Sequence, residues 1–346
     1  MTARIRFFSL VIFGIALLSL HTTSAAPDGK PEVLHLLTSV PLPGISGDFD
    51  HFAVDEAGHR LFLAGEDHQT LEVFDLNTEK HLRSVSGFGT PHSVFYLPQS
   101  NRILVTDGGK GVIQILRGRD YAFIGTIKGL PAVDSARLDS ATQTLYVVTG
   151  GKDLKWDHSF LVAIDLTTGK KVGTLRFESD HVEAMALEAN GPRLFINLTD
   201  KAEVAVVNRK TMKVLSRWPV HVAGENSPMA FDEAHHRLFL VCRKPAALVV
   251  MDSDSGAIVA HFPAAARSDD VAFDPVSGRI YVPGGEGFIS VFEQHSPTQY
   301  AQLANVGTAP GAKTCLLVPS LKRYFVAVSP GDTKAMAKLL IFQTSL

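Results

Sequence analysis

Phe52-Ala53-Val54, the turn Glu56-Ala57-Gly58-His59, then Leu61-Phe62-Leu63-Ala64, Leu71-Glu72-Val73-Phe74-Asp75 and Lys80-His81-Leu82-Arg83-Ser84-Val85 form the stretch on which the fold turns. Its four short runs, rich in β-branched and aromatic residues and parted by Gly, Asn, Asp and Thr, read as four strands joined by tight turns. Working outward, the second run, Arg60-Leu61-Phe62-Leu63, recurs throughout the chain. It returns at Arg102-Ile103-Leu104-Val105, Thr144-Leu145-Tyr146-Val147, Arg193-Leu194-Phe195-Ile196, Arg237-Leu238-Phe239-Leu240, Arg279-Ile280-Tyr281-Val282 and Arg323-Tyr324-Phe325-Val326. The second positions of these runs lie 42, 42, 49, 44, 42 and 44 residues apart. A period of roughly 40 to 50 residues is that of four-stranded propeller blades. No stretch after Leu20 sustains a helical period, so the expected fold class is all-β, a seven-bladed β-propeller.

The chain ends predict how the ring closes. After the seventh anchor come Phe325 to Val328, the turn Ser329-Pro330-Gly331-Asp332 and the strand Leu339-Leu340-Ile341-Phe342, with no fourth strand after them. The run Glu32-Val33-Leu34-His35-Leu36-Leu37-Thr38-Ser39-Val40 has strand composition and precedes the first unit through Pro41-Leu42-Pro43-Gly44. Pairing this N-terminal strand with the C-terminal blade closes the ring and covers an open sheet edge.

Outside the repeats, Arg4 and Arg6 precede the uncharged run Phe7 to Leu20, which gives way to His21-Thr22-Thr23-Ser24-Ala25-Ala26-Pro27. A charged start, a short apolar stretch and small residues at a cleavage site are the parts of a secretory signal peptide. Fourteen residues rise only about 21 Å as a helix, short of a ~30 Å hydrocarbon core. Residues 1–25 are therefore expected to be cleaved after Ala25, leaving residues 26–346 as one propeller domain in the periplasm or secreted. The full chain of 346 residues is 45% hydrophobic and 20% charged, an ordinary globular composition. Its 33 Lys and Arg against 35 Asp and Glu give no basic footprint for nucleic acid. Cys242 and Cys315 lack any metal-ligand spacing and fall in apolar strands, so buried free thiols are expected.

The second-to-third-strand apolar runs, with the hairpin Asp165-Leu166-Thr167-Thr168-Gly169-Lys170 and its echoes Asp75-Leu76-Asn77-Thr78-Glu79-Lys80 and Asp252-Ser253-Asp254-Ser255-Gly256, resemble the YVTN, or YncE-like, repeat family of exported β-propellers. The resemblance spans residues 32 to 344; Tyr146-Val147-Val148-Thr149 and Tyr281-Val282-Pro283-Gly284 approximate the tetrapeptide that names the family. It implies a fold and an exported location, and no single activity.

Aligned on their anchors, the units place Asp50, His92, Asp134, Glu183, Ser227, Asp269 and Lys313 at one position entering the innermost strands, with His51, Ser93, Ser135, Ala184, Pro228, Asp270 and Thr314 next. The channel mouth is therefore expected to be polar and mostly acidic, with Lys313 paired to a neighbouring carboxylate. Loops between the second and third strands add Glu66, Asp67, His68, Asp107, Arg243, Lys244, Glu286 and Asp332 to the same face. The long third spacing marks the insertion Lys152-Asp153-Leu154-Lys155-Trp156-Asp157-His158, in which Trp156 is a candidate contact residue. Ligand-binding candidates are thus Asp50, His51, His92, Asp134, Glu183, Asp269, Asp270, Lys313 and Trp156. A divalent cation, if bound, would be held by Asp50, His92, Asp134, Glu183 and Asp269, since mixed carboxylate and imidazole sets suit transition metals and carboxylates alone suit calcium or magnesium.

Other motifs fail on context. Gly108-Gly109-Lys110-Gly111, Gly150-Gly151-Lys152 and Gly284-Gly285-Glu286-Gly287 join strands and are hairpin turns rather than phosphate loops. No Gly-x-Ser-x-Gly elbow offers a serine nucleophile. The leading expectation is an exported binding or scaffold protein, a monomer, holding a small molecule, a cation or a peptide at the mouth, with neither nucleic acid nor membrane insertion after cleavage. Its alternative is a metal-assisted hydrolase or lyase of lactonase type using the same face, by analogy of fold.

Overall fold

The structure, a computed structural model, describes Met1 and residues 33–331 and 335–345. The expected leader, apart from Met1, and Asp332 lie outside the described residues.

Seven four-stranded antiparallel sheets follow one another along the chain. Blade 1 comprises Phe52–Asp55, Arg60–Gly65, Thr70–Asp75 and Lys80–Ser86, from the innermost strand outward. Blades 2 to 6 repeat that order, with innermost strands Pro91–Leu97, Ala136–Asp139, Val182–Leu187, Gly224–Asp232 and Ala272–Asp274. In blade 7, Thr314–Val318, Arg323–Val328 and Ala337–Thr344 are joined by Leu34–Leu42, which pairs antiparallel with Ala337–Thr344 from Leu34↔Thr344 to Leu42↔Ala337. The N-terminal strand thus closes the ring. It runs on through Pro41 and Leu42, which the sequence suggested as connection; Leu42 is fully buried and extends the pairing.

Strand alternation explains why the anchor runs are apolar at every position. Leu61 and Leu63 pack toward blade 7, while Phe62 and Ala64 on the opposite face pack toward blade 2. Leu194 and Ile196 likewise face blade 3 while Phe195 faces blade 5. A strand buried on both faces loses the in-and-out alternation of a half-buried one. Seven hydrophobic clusters among the described residues each join two neighbouring blades. Cys242 and Cys315 lie buried and free within these clusters, as their apolar strands suggested. No helix among the described residues is long and apolar enough to cross a membrane.

Candidate functional site

Three innermost strands depart from regular pairing where they enter the ring. The register shifts between Pro91 and Val94, between Val182 and Met185, and between Asn226 and Met229. These bulges contain His92-Ser93, Glu183-Ala184 and Ser227-Pro228, the positions the repeat alignment singled out. A bulge frees residues from the ladder and re-aims their side chains.

The result is a cavity of about 270 Å³ at the channel mouth, whose lining includes Asp50, His51, His92, Asp134, Glu183, Asp269 and Lys313. Seven of the nine ligand-binding candidates meet there. Asp270 sits one layer deeper, in the channel wall, where it accepts a hydrogen bond from the Cys315 backbone N–H at 2.9 Å. Trp156 lies off the lining: it stacks on His158 with ring centroids 5.2 Å apart and covers Gly150, and it is 36% exposed. The insertion reaches the mouth instead through Lys152 and Asp153, in the short 3-10 turn Lys152–Leu154.

Repeat alignment left five charged lining residues without a role: Asp48, Glu66, Lys152, Asp153 and Arg243. Glu66 and Arg243 belong to the second ring of loops, where the sequence marks the face and gives no way to choose among its members. Asp48 precedes the aligned position by two residues and carried no signal. Together with Lys313, Arg243 and Lys152 make the mouth a mixed lattice rather than a simple acidic ring.

The pairing is dense. Lys313 Nζ donates to Asp48 Oδ2 at 2.9 Å and to Asp269 Oδ2 at 2.6 Å, and Arg243 Nη2 donates to Asp269 Oδ1 at 2.5 Å. His92 Nδ1 lies 2.7 Å from Asp50 Oδ2 and 3.6 Å from Asp134 Oδ1. His51 bridges two layers, Nε2 at 3.3 Å from Asp50 Oδ1 and Nδ1 at 3.1 Å from Asp270 Oδ1. Glu183 Oε1 and Lys152 Nζ both approach His181 Nε2, at 2.5 and 2.7 Å.

These contacts push the carboxylates apart in acidity. Burial would raise Asp50, but the charge of His51 and the hydrogen bond and charge of His92 hold it well below the usual carboxylate range. Glu183 is lowered in the same way, burial being outweighed by the hydrogen bond to His181. Burial lifts Asp134 to about 7, with Glu183 and Asp50 adding repulsion that His92 offsets only in part. Glu66 also rises to about 7, through burial and the Asp50 charge. Burial would lower His92, yet Asp134, Asp50 and Glu66 raise it to about 10. The mouth therefore combines ionised Asp50, cationic His92 and two carboxyls poised near neutrality, a spread that burial and like-charge proximity produce at functional sites.

One ligand atom each from Asp50, Glu66 and His92 falls within 4.8 Å of the others, close enough to share one cation. Of these, Asp50 and His92 are among the sequence-derived metal candidates, and Glu66 is an addition to them.

The chain is similar to YncE. It is 28% identical over 200 residues to the uncharacterized protein YncE of Salmonella typhimurium, covering 57% of this chain and 54% of that protein. The uncharacterized YncE of Salmonella typhi matches at the same identity and coverage. The chain thus spans about half the length of the curated relatives it matches. No protein-family model matches it. Among solved structures, a chain of the crystal structure of the mitotic checkpoint complex superposes with a TM-score of 0.75 at 14% identity, covering 96% of this chain and 99% of that one. That likeness shows the propeller fold alone.

Proposed function

We propose that this protein is an exported propeller, the single domain 26–346, that binds its ligand at the channel mouth through a divalent cation held by Asp50, Glu66 and His92. The observation that carries the reading is the convergence of two carboxylates and an imidazole from two blades within 4.8 Å. A set of oxygen and nitrogen donors favours zinc or manganese over calcium. The cation would also relieve a mouth in which seven carboxylates face three permanent cations and two imidazoles. Calorimetric titration with zinc, manganese and calcium tests it. Wild type should bind zinc or manganese, and Glu66→Gln should bind roughly tenfold or more weakly, as loss of an ionic contact worth about 1.5–3 kcal/mol requires. Absence of binding to all three ions, or equal binding by the variant, sinks the reading.

The hydrolase or lyase reading has one observation in its favour. Asp134, beside His92, is held at about 7, where a general acid or base works best next to a metal-activated water. Turnover of a simple lactone by zinc-loaded protein, abolished in Asp134→Asn, would establish that chemistry; wild type without turnover would leave a binding protein.

A further inference from the structure

Below the mouth lies a second cavity, about 370 Å³, walled by the innermost strands and reaching from His51 to Pro319. Pro319 opens the turn Pro319–Leu321 at the opposite end of the strand Thr314–Val318. His51 is the residue common to both cavities, and its contacts with Asp50 and Asp270 form the partition between them.

Many side chains of the channel wall are apolar, Phe95, Met185, Met229, Phe231, Phe273 and Leu317 among them. Arg137 breaks this pattern. Aligned on the anchors, the other blades carry Ala53, Phe95, Ala186, Ala230, Ala272 and Leu316 at its position, so one blade alone sends a cation into that layer. Its side chain is exposed to the channel. Among the described residues Arg137 has no hydrogen-bond or ion-pair partner. The one charge that bears on it is Asp270, which is already taken by His51 Nδ1 at 3.1 Å and the Cys315 N–H at 2.9 Å.

A guanidinium cannot shed its proton, so the five N–H donors of Arg137 stay charged and open to the channel, with no acceptor among the described residues. An anion entering the channel would supply the acceptors that no neighbouring side chain offers it. At two of the equivalent positions Ala230 and Ala272 line the same cavity, and its volume falls in the range of small-molecule sites. We propose that this cavity is a second binding site, separate from the mouth, for a small organic anion whose oxyanion head sits on Arg137 and whose apolar body lies among Phe95, Phe231, Phe273 and Leu317. Planar carboxylates match the guanidinium fork two oxygens at a time.

The test is calorimetric titration of the full mature chain with benzoate and hexanoate, against benzyl alcohol and inorganic phosphate, on wild type, Arg137→Gln and Glu66→Gln. One of the two carboxylates should bind wild type, with the alcohol and phosphate roughly tenfold or more weaker and Arg137→Gln losing the binding. Glu66→Gln should keep it, which separates this site from the mouth whether or not a cation binds there. Arg137→Gln should also melt no lower than wild type, because it removes an unpaired charge; a drop of several degrees would show that Arg137 serves the fold instead. The proposal is overturned if neither carboxylate binds, if phosphate binds as well as they do, or if Glu66→Gln rather than Arg137→Gln abolishes binding.

Discussion

Acidic residues stand at both ends of the innermost strands and meet opposite fates. At the end away from the mouth, Asp55 accepts the Gly58 N–H at 2.9 Å and pairs with Arg60 at 2.6 Å; Glu188 does the same for the Arg193 N–H at 2.9 Å and its guanidinium at 2.6 Å. Those carboxylates are supplied with donors by their own turns and are structural. Asp134 at the mouth faces Glu183 and Asp50, against which it has the shared His92 and, more weakly, His51. Its folded-state value of about 7 lies above the ordinary 3.8, so the folded protein holds more protons than the unfolded chain between those values, and this residue's contribution to stability falls as pH rises through that window. Asp134→Asn is therefore expected to raise the melting temperature, and more at pH 8 than at pH 5. Scanning calorimetry at the two pH values decides it; an equal or smaller gain at pH 8 would show that the carboxylate is not ionised against its neighbours.

At the scale of single elements, the strand Leu34–Leu42 carries the largest consequence. It buries Leu34, Val40 and Leu42 and covers the backbone edge of Ala337–Thr344. Deleting residues 33–42 removes three buried apolar side chains at about 2 kcal/mol each and opens that edge. At a few degrees per kcal/mol or less for a chain of this size, the melting temperature should fall by roughly 10 °C and aggregation should appear. An unchanged transition would mean that the pairing adds nothing to stability. The bulged strands and the inserted loop are elements of a different sort. They set direction rather than stability: the bulges turn His92 and Glu183 into the mouth, and the insertion brings Lys152 and Asp153 there while Trp156 folds back on Gly150.

For the whole molecule, the leader reading predicts that material recovered after export begins at Ala26. Intact-mass measurement checks it, and a mass that retains residues 1–25 would refute it. The ring itself was legible in the chain because each blade must bury both faces of its second and third strands, and this writes the same apolar run into every repeat. Closure was legible for a related reason: an incomplete last unit and an unassigned first strand leave two edges that satisfy each other. The seven aligned polar positions also followed from the repeat, since equivalent residues in equivalent blades must fall at one height around the channel.

Which of those groups meet, and across what distance, is set by the folded ring alone. Asp50 and His92 lie 42 residues apart in sequence yet 2.7 Å apart in space, and Lys313 reaches across the closing seam to Asp48. Glu66 joins them from a loop whose neighbours Asp67 and His68 look no different in sequence. Arg137 stood in the chain as one cation in a column of apolar residues, but its lack of a partner became visible only when the ring enclosed it. Local patterning fixes strands and their faces because both depend on near neighbours along the chain. Acidity, pairing and unpaired charge depend on distances between blades and on burial within the assembled ring, and no repeat encodes those one unit at a time.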